Sequence, residues 1–204
     1  MLERVEALFP APLAVFRLAD VESLNARLLS EALARRAAEP GLSRSNLHGW
    51  HSDDDFFVRT EPGGVELRSR IIDAATRITL QLSPRFDLTA YAVQAEGWIN
   101  IGEHGALNSP HDHPGWVWSG CYYVQAPAGD GGGGEIEFLD TRTNVRTLTI
   151  DGAACFAGKY RLSPQTGQLL IFPSWLRHWV YPNESEELRV SVAFNLRFVN
   201  RAAG

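Results

Sequence analysis

The chain has 204 residues, 45% of them apolar and 21% charged, with a formal net charge of −5. That length suits one domain, the composition excludes wholesale disorder, and an acidic balance without a Lys/Arg run argues against a nucleic-acid footprint. Two cysteines, Cys121 and Cys155, with no Cys-x-x-Cys, exclude a disulfide scaffold and a thiolate zinc site.

The first residues, Met-Leu-Glu-Arg-Val-Glu, lack the basic-then-apolar layout of a signal peptide, and no apolar run reaches the ~18 residues of a membrane span. A cytoplasmic setting without membrane contact is the expectation. Residues 9–18 read as a short strand after a proline break. Asp20 reads as an N-cap, with Glu22 in the first helical turn. Leu24, Leu28 and Ala32 recur at four-residue spacing, widened by Leu29 and Leu33, and predict an amphipathic helix ending near Pro40-Gly41. Residues 43–55, with His48, Trp50, His51 and three consecutive aspartates, read as a polar surface loop whose Asp run caps the next segment. A substrate loop or acidic cation site is the alternative there, and His51 receives no ligand role. Gly63-Gly64 opens a second helix, with Leu67, Ile71, Ala75, Ile78 and Leu82 on one stripe, Arg68, Arg70, Asp73 and Arg77 on the other side, and Pro84 as its stop.

From residue 88 the period changes to two, and β-branched and aromatic residues dominate. Strands are expected at 88–101, 119–127, 135–139, 144–150, 167–173 with a continuation over 175–181, and 187–199. The glycines of 129–134 form a turn. They are not a phosphate loop, since no Lys-Ser/Thr follows and a strand rather than a helix comes next. Helices first and strands after predict an α+β, mainly β chain, with helices packed on one sheet of an antiparallel barrel or double-sheet jelly roll. Residues 1–204 read as one domain, with a helical elaboration over 1–87 and a β core over 88–199.

Chemistry concentrates in Asn108-Ser-Pro-His-Asp-His-Pro114. Alternation in an extended strand puts His111 and His113 on one face and Asp112 on the other, and Pro110 and Pro114 favour the extended form. His178, in Phe172-Pro-Ser-Trp-Leu-Arg-His178, is the one histidine downstream of that pair, in surroundings that Trp175, Leu176 and Trp179 would keep dry. Three neutral imidazoles suit Fe, Zn, Cu or Ni, with Asp112 and Asn108 as reserve ligands. Arg189 and Ser191 share a strand face, and a guanidinium beside a serine hydroxyl suits a carboxylate-bearing co-substrate. Trp116 and Trp118 read as lining a substrate pocket or a partner surface.

The runs Trp98-Ile-Asn-Ile, Asn108-x-x-His-x-His-Pro114, Ser119-Gly-x-Tyr-Tyr-Val124, Phe172-Pro-Ser-Trp-Leu-x-His178 and Arg189-Val-Ser-x-x-Phe-Asn195 closely resemble the 2-oxoglutarate/Fe(II)-dependent oxygenases of bacteria and phages, a family largely of unknown function. The likeness spans about residues 88–199, with a looser echo in Ser45-Asn and Trp50-His-Ser. It implies a double-stranded β-helix of cupin-like type, Fe(II) on His111, His113 and His178, and 2-oxoglutarate with its distal carboxylate on Arg189 and Ser191. It also implies O2 as co-substrate and hydroxylase-type oxidation of a substrate C–H coupled to release of succinate. One departure stands out. The wider superfamily places an acid two residues after the first histidine, where this chain has His113. Tyr122 and Tyr123 alternate faces, so one of them, with Tyr123 taken as the cofactor-side residue, points inward. Asn100, Asn108 and Asn195 are further polar candidates. Two other readings stay open: a cupin-like three-histidine dioxygenase that uses no 2-oxo acid, and a non-catalytic metal- or ligand-binding module. The substrate and the oligomeric state, a homodimer among the options, are left open.

Overall fold

The computed structural model describes residues 1–6, 8–127, 132–141, 150, 152–153 and 156–201. In chain order the elements are β1 (Ala14–Arg17), α1 (Glu22–Ala38), β2 (Asn46–His51), α2 (Pro62–Leu82), a 3-10 turn (Leu88–Ala90), β3 (Tyr91–His111), β4 (Trp118–Gln125), β5 (Ile136–Leu139), β6 (Lys159–Leu162), β7 (Gln168–Pro173), β8 (His178–Val180) and β9 (Arg189–Asn200). Among the described residues no helix is long and apolar enough to cross a membrane. The strand expected at 144–150 falls almost wholly outside the described residues, and of the glycine turn only residues 132–134 are described.

The strands form one antiparallel sheet in the order β1-β7-β4-β9-β3-β8-β5-β6, with β2 also paired to β3. β3 is the reason the sheet curls. Its first half, Tyr91–Gly102, pairs with β9, while Asn108 and His111 at its far end pair with Val180 and His178 of β8. One 21-residue strand therefore belongs to both limbs, and a half-barrel forms around it. Where the sequence suggested a strand ending near residue 101, the chain stays extended through Pro110. Gly105 (φ 78°) and a register shift between Asn108 and His111 absorb the bend.

Strand alternation then sorts the side chains. Ile99, Ile101, Tyr122, Val124, Leu169, Ile171, Val190, Val192, Phe194 and Leu196 face the helices, where they close a core with Leu24, Leu28 and Ala32 of α1 and Leu67, Ile71, Ala75 and Ile78 of α2. The opposite face carries Tyr123, Leu170 and Phe172, packed with Ile136 and Phe138 of the small limb. A sheet buried on both faces accounts for strands that are apolar without clean polar alternation. Gly120 sits where strands and core meet most tightly. A Cβ there would lie 2.2 Å from Phe194 Cζ and 2.4 Å from the Leu170 carbonyl.

The continuation expected over 175–181 is instead a separate strand, because the chain turns after Pro173 and β8 pairs with β3 and β5, and four further expectations need correction. Residues 46–51 are not a surface loop: β2 pairs with β3, and His51 is buried. Asp20 does not cap α1. It lies in the left-handed region (φ 52°), the N-cap is Val21, and no side chain caps that end. Leu82 is exposed, because α2 outruns the sheet it covers. Trp118 is buried on the helix side, where its indole N–H donates to Thr79 Oγ1 (2.9 Å), because even-numbered residues of β4 point that way. α2 begins with Pro62 at its first turn, and Glu31 of α1 accepts from the Gly63 and Gly64 N–H groups (2.8 and 3.2 Å), so a carboxylate sits at the positive end of the helix.

Candidate metal centre

His111 ends β3 and pairs across the sheet with His178 of β8, and His113 follows two residues later. The ring centroids are 4.5 Å apart for His111–His178, 5.0 Å for His111–His113 and 5.3 Å for His113–His178. One nitrogen from each ring lies within 4.8 Å of the other two. Asp112 is exposed and stands outside this cluster, as alternation requires. The dry surroundings of His178 come from Phe138, Phe172 and Leu176. Trp175 is half exposed, and Trp179 turns its N–H to Glu137 on the other side of the small limb.

Two of the rings have fixed tautomers. His111 Nδ1 is 2.7 Å from the Ser109 carbonyl, and His178 Nδ1 is 2.9 Å from the Leu176 carbonyl. A carbonyl only accepts, so each Nδ1 carries the proton and each Nε2 keeps its lone pair, the form that ligates a metal. Burial pushes His178 down to about 3 and His113 down to about 4, and it lowers His111 as well. Three neutral imidazoles therefore converge. His113 is held differently. Its Nδ1 lies 3.5 Å from Asn195 Nδ2, while Asn195 Oδ1 accepts from Ser119 (2.6 Å) and Asn195 Nδ2 donates to Glu96 (2.8 Å). Ser119, Asn195 and Glu96 are cross-strand neighbours on β4, β9 and β3.

The cluster opens into a cavity of about 380 Å³ that is also lined by Trp98, Asn100, Cys121, Tyr123, Arg189 and Ser191. Tyr123, Ser191 and Asn100 form one cross-strand row, and Arg189 follows at the next inward position of β9. Tyr123 thus faces the cavity, whereas Tyr122 faces the helices and donates its hydroxyl to Asn25 Oδ1 (2.6 Å). Arg189 is 4% exposed. Its two hydrogen bonds are long and go to neutral oxygens, the Tyr181 carbonyl (3.3 Å) and Asn108 Oδ1 (3.4 Å), and it has no carboxylate partner among the described residues. Desolvation lowers its pKa. Glycine makes its space: a Cβ on Gly134 would come within 3.0 Å of the guanidinium, and one on Gly102 within 3.3 Å. A buried, unpaired guanidinium is costly unless an anion reaches it.

Sequence reasoning brought His111, His113, His178, Arg189, Ser191 and Tyr123 to this cavity, and all six line it. It passed over His51, Glu96 and Cys121. The series Glu96-x-Trp98-x-Asn100 was a usable signal, since polar and aromatic side chains at every second position mark a strand face turned to something other than core. Cys121 lies between Tyr123 and Ser191 and bonds both, and burial pushes its thiol up to about 11, so it stays neutral.

A curled antiparallel sheet thus brings three converging imidazoles, a donor set that fits a metal ion, into one cavity with a buried arginine that has no carboxylate partner among the described residues. Residues 96–195 match the family described as "Putative 2OG-Fe(II) oxygenase". That segment holds all three histidines, Arg189 and Ser191. A comparison with curated protein sequences finds no match. Solved structures share the fold at low identity. A Pseudomonas putida prolyl-4-hydroxylase is 16% identical over 91% of each chain, with a TM-score of 0.61. The epimerase SnoN from nogalamycin biosynthesis, solved with Fe3+, alpha ketoglutarate and nogalamycin RO, is 14% identical over 94% of this chain and 82% of its own, with a TM-score of 0.64. A viral collagen prolyl hydroxylase from Paramecium Bursaria Chlorella virus-1, in a 2OG complex, is 16% identical over 92% and 96%, with a TM-score of 0.55.

Proposed function

We propose that the protein is a 2-oxoglutarate- and Fe(II)-dependent dioxygenase that carries out hydroxylase-type oxidation. His111, His113 and His178 would hold the metal, and Arg189, Ser191 and Tyr123 would hold the distal carboxylate of 2-oxoglutarate. In this reading the half-barrel is the jelly-roll core of a double-stranded β-helix, spanning 88–199, and residues 1–87 are its helical elaboration within one domain. The observation that carries it is the coexistence, in one cavity, of a neutral three-imidazole cluster and an unpaired buried guanidinium. The family supplies the co-substrate that matches both.

The bound iron and 2-oxo acid supply oxygen activation coupled to oxidative decarboxylation to succinate. The chain supplies the rest. The Ser109 and Leu176 carbonyls aim the Nε2 lone pairs of His111 and His178. Arg189 offers a planar fork to a carboxylate and Ser191 a third donor, while Phe138 and Phe172 exclude water beside His178. Uncoupled turnover is the test. With Fe(II), O2 and 2-oxoglutarate the protein releases succinate, and Arg189→Ala raises the co-substrate requirement by ~100-fold or more, since it removes charged hydrogen bonds of ~1.5–3 kcal/mol each. Wild-type protein that releases no succinate would sink the reading.

A three-histidine dioxygenase that uses no 2-oxo acid is the second reading, favoured by one observation: Asp112, the nearest carboxylate in sequence, is exposed rather than turned to the cluster. Arg189 would then grip a carboxylate of the substrate itself.

A further inference from the structure

The cavity carries opposite charges at its two ends. On β9, Arg189 and Asn195 stand six residues apart, roughly 20 Å along an extended strand. Arg189 marks one end, and Glu96, the cross-strand partner of Asn195, marks the other. We propose that Glu96, with His51 and Asn100, forms the subsite for the substrate, and that the substrate bears an organic cation, a primary ammonium or guanidinium group. The proposal rests on the oxygenase reading of the same cavity and adds the substrate class to it.

Glu96 is half buried and has no cationic partner among the described residues. Its bond from Asn195 engages Oε1. That bond also orients it. Ser119 donates to Asn195 Oδ1, so the amide N–H must face Glu96, and the carboxylate is held toward the cavity. His51 is 4% exposed, and its Nδ1–H donates to the Ser52 carbonyl (2.6 Å). Its Nε2 therefore presents a lone pair, with no partner among the described residues, in the cavity wall. The ring stacks on Trp98 at 5.5 Å, midway between Glu96 and Asn100 on the inward face of β3. Asn100 Oδ1 is buried without a hydrogen bond.

Three acceptors in a row, of which only Glu96 meets a donor and that at Oε1, select against an anionic ligand, and a neutral one would leave the carboxylate's charge unmatched. An ammonium brings three N–H donors and a guanidinium five. Glu96 takes the charge, and His51 and Asn100 accept from further N–H or O–H groups of the same ligand. The other charges lining this region offset each other: Arg44 is exposed at the rim and lies 3.8 Å from Asp54. Arg189 is too far along the strand to neutralise Glu96.

The test is calorimetric titration of pentylammonium, pentylguanidinium, pentanol and pentanoate into the anaerobic protein loaded with Fe(II) and 2-oxoglutarate, repeated on metal-free protein. At least one of the two cations binds, and pentanol and pentanoate bind at least about tenfold more weakly. Glu96→Gln, which keeps an acceptor for Asn195, weakens the cation by about tenfold or more, while Asp54→Asn changes it by less than about threefold. Pentanol binding as well as the cations, no cation binding, or Glu96→Gln behaving as wild type would overturn the proposal. The metal-to-ligand charge-transfer band, recorded in the same samples, checks that Glu96→Gln is folded. If wild type shows no band, the oxygenase reading fails by itself, and the metal-free titration still decides the role of Glu96.

Discussion

A proton on one ring nitrogen rather than the other decides whether a histidine can take a metal, and two backbone carbonyls make that decision for His111 and His178. Because burial holds His113 at about 4 and His178 at about 3, metal binding at pH 7 displaces no proton from either. Calorimetry of metal binding in two buffers of different ionisation heat is therefore predicted to give the same enthalpy. The same shifts set a stability trend for the metal-free protein. The unfolded chain takes up protons at its histidines below about pH 6.5, where the folded cluster does not. Stability falls as pH drops from about 6.5, and the contribution of these rings levels off near pH 4 for His113 and pH 3 for His178, which denaturant midpoints measured across that range will show. Tyr122 and Tyr123 give a second contrast. Tyr122→Phe loses the bond to Asn25 and costs ~0.5–1.5 kcal/mol of stability with co-substrate affinity unchanged. Tyr123→Phe weakens 2-oxoglutarate binding with the larger part of stability kept, as paired melts and titrations would read. Period-two alternation made His111, His113, Arg189 and Ser191 legible in the sequence, because the rule is local. His51 was not legible, since it matters through Trp98 on another strand, and Glu96 was legible only as part of the alternating series with Trp98 and Asn100, not through its tie to Asn195.

At the scale of elements, β3 does most to create the site, because its two halves pair with different limbs and so bring His111 against His178. Its length was not legible. Gly102, Gly105 and Pro110 look like ends when each is read alone, and only pairing with β2, β8 and β9 keeps the chain extended through them. The helices were more legible, since Leu24, Leu28 and Ala32, and then Leu67, Ile71 and Ala75, recur at a helical spacing that burial bears out. β4 offers the sharpest packing test. A methyl group on Gly120 would overlap both Phe194 and the Leu170 backbone, and backbone cannot step aside as a side chain tip can. Gly120→Ala is predicted to cost at least about 1–3 kcal/mol in a denaturant melt and to loosen the cavity wall at the adjoining Cys121.

For the whole molecule, one curled sheet separates two jobs. Its helix-facing side is an apolar core, and its inner side is a cavity with a guanidinium at one end, a carboxylate at the other and three imidazoles near the middle strands. The resemblance seen in the sequence and the family match over residues 96–195 agree on the segment that carries this cavity. The central claim is that metal and 2-oxo acid occupy it together, and it is tested most directly by anaerobic titration of 2-oxoglutarate into the Fe(II)-loaded protein. A visible metal-to-ligand charge-transfer band that saturates in wild type, is lost with the metal in His178→Ala and requires far more 2-oxoglutarate in Arg189→Ala is the predicted result. Wild-type protein that binds iron but develops no band at saturating 2-oxoglutarate would contradict the account.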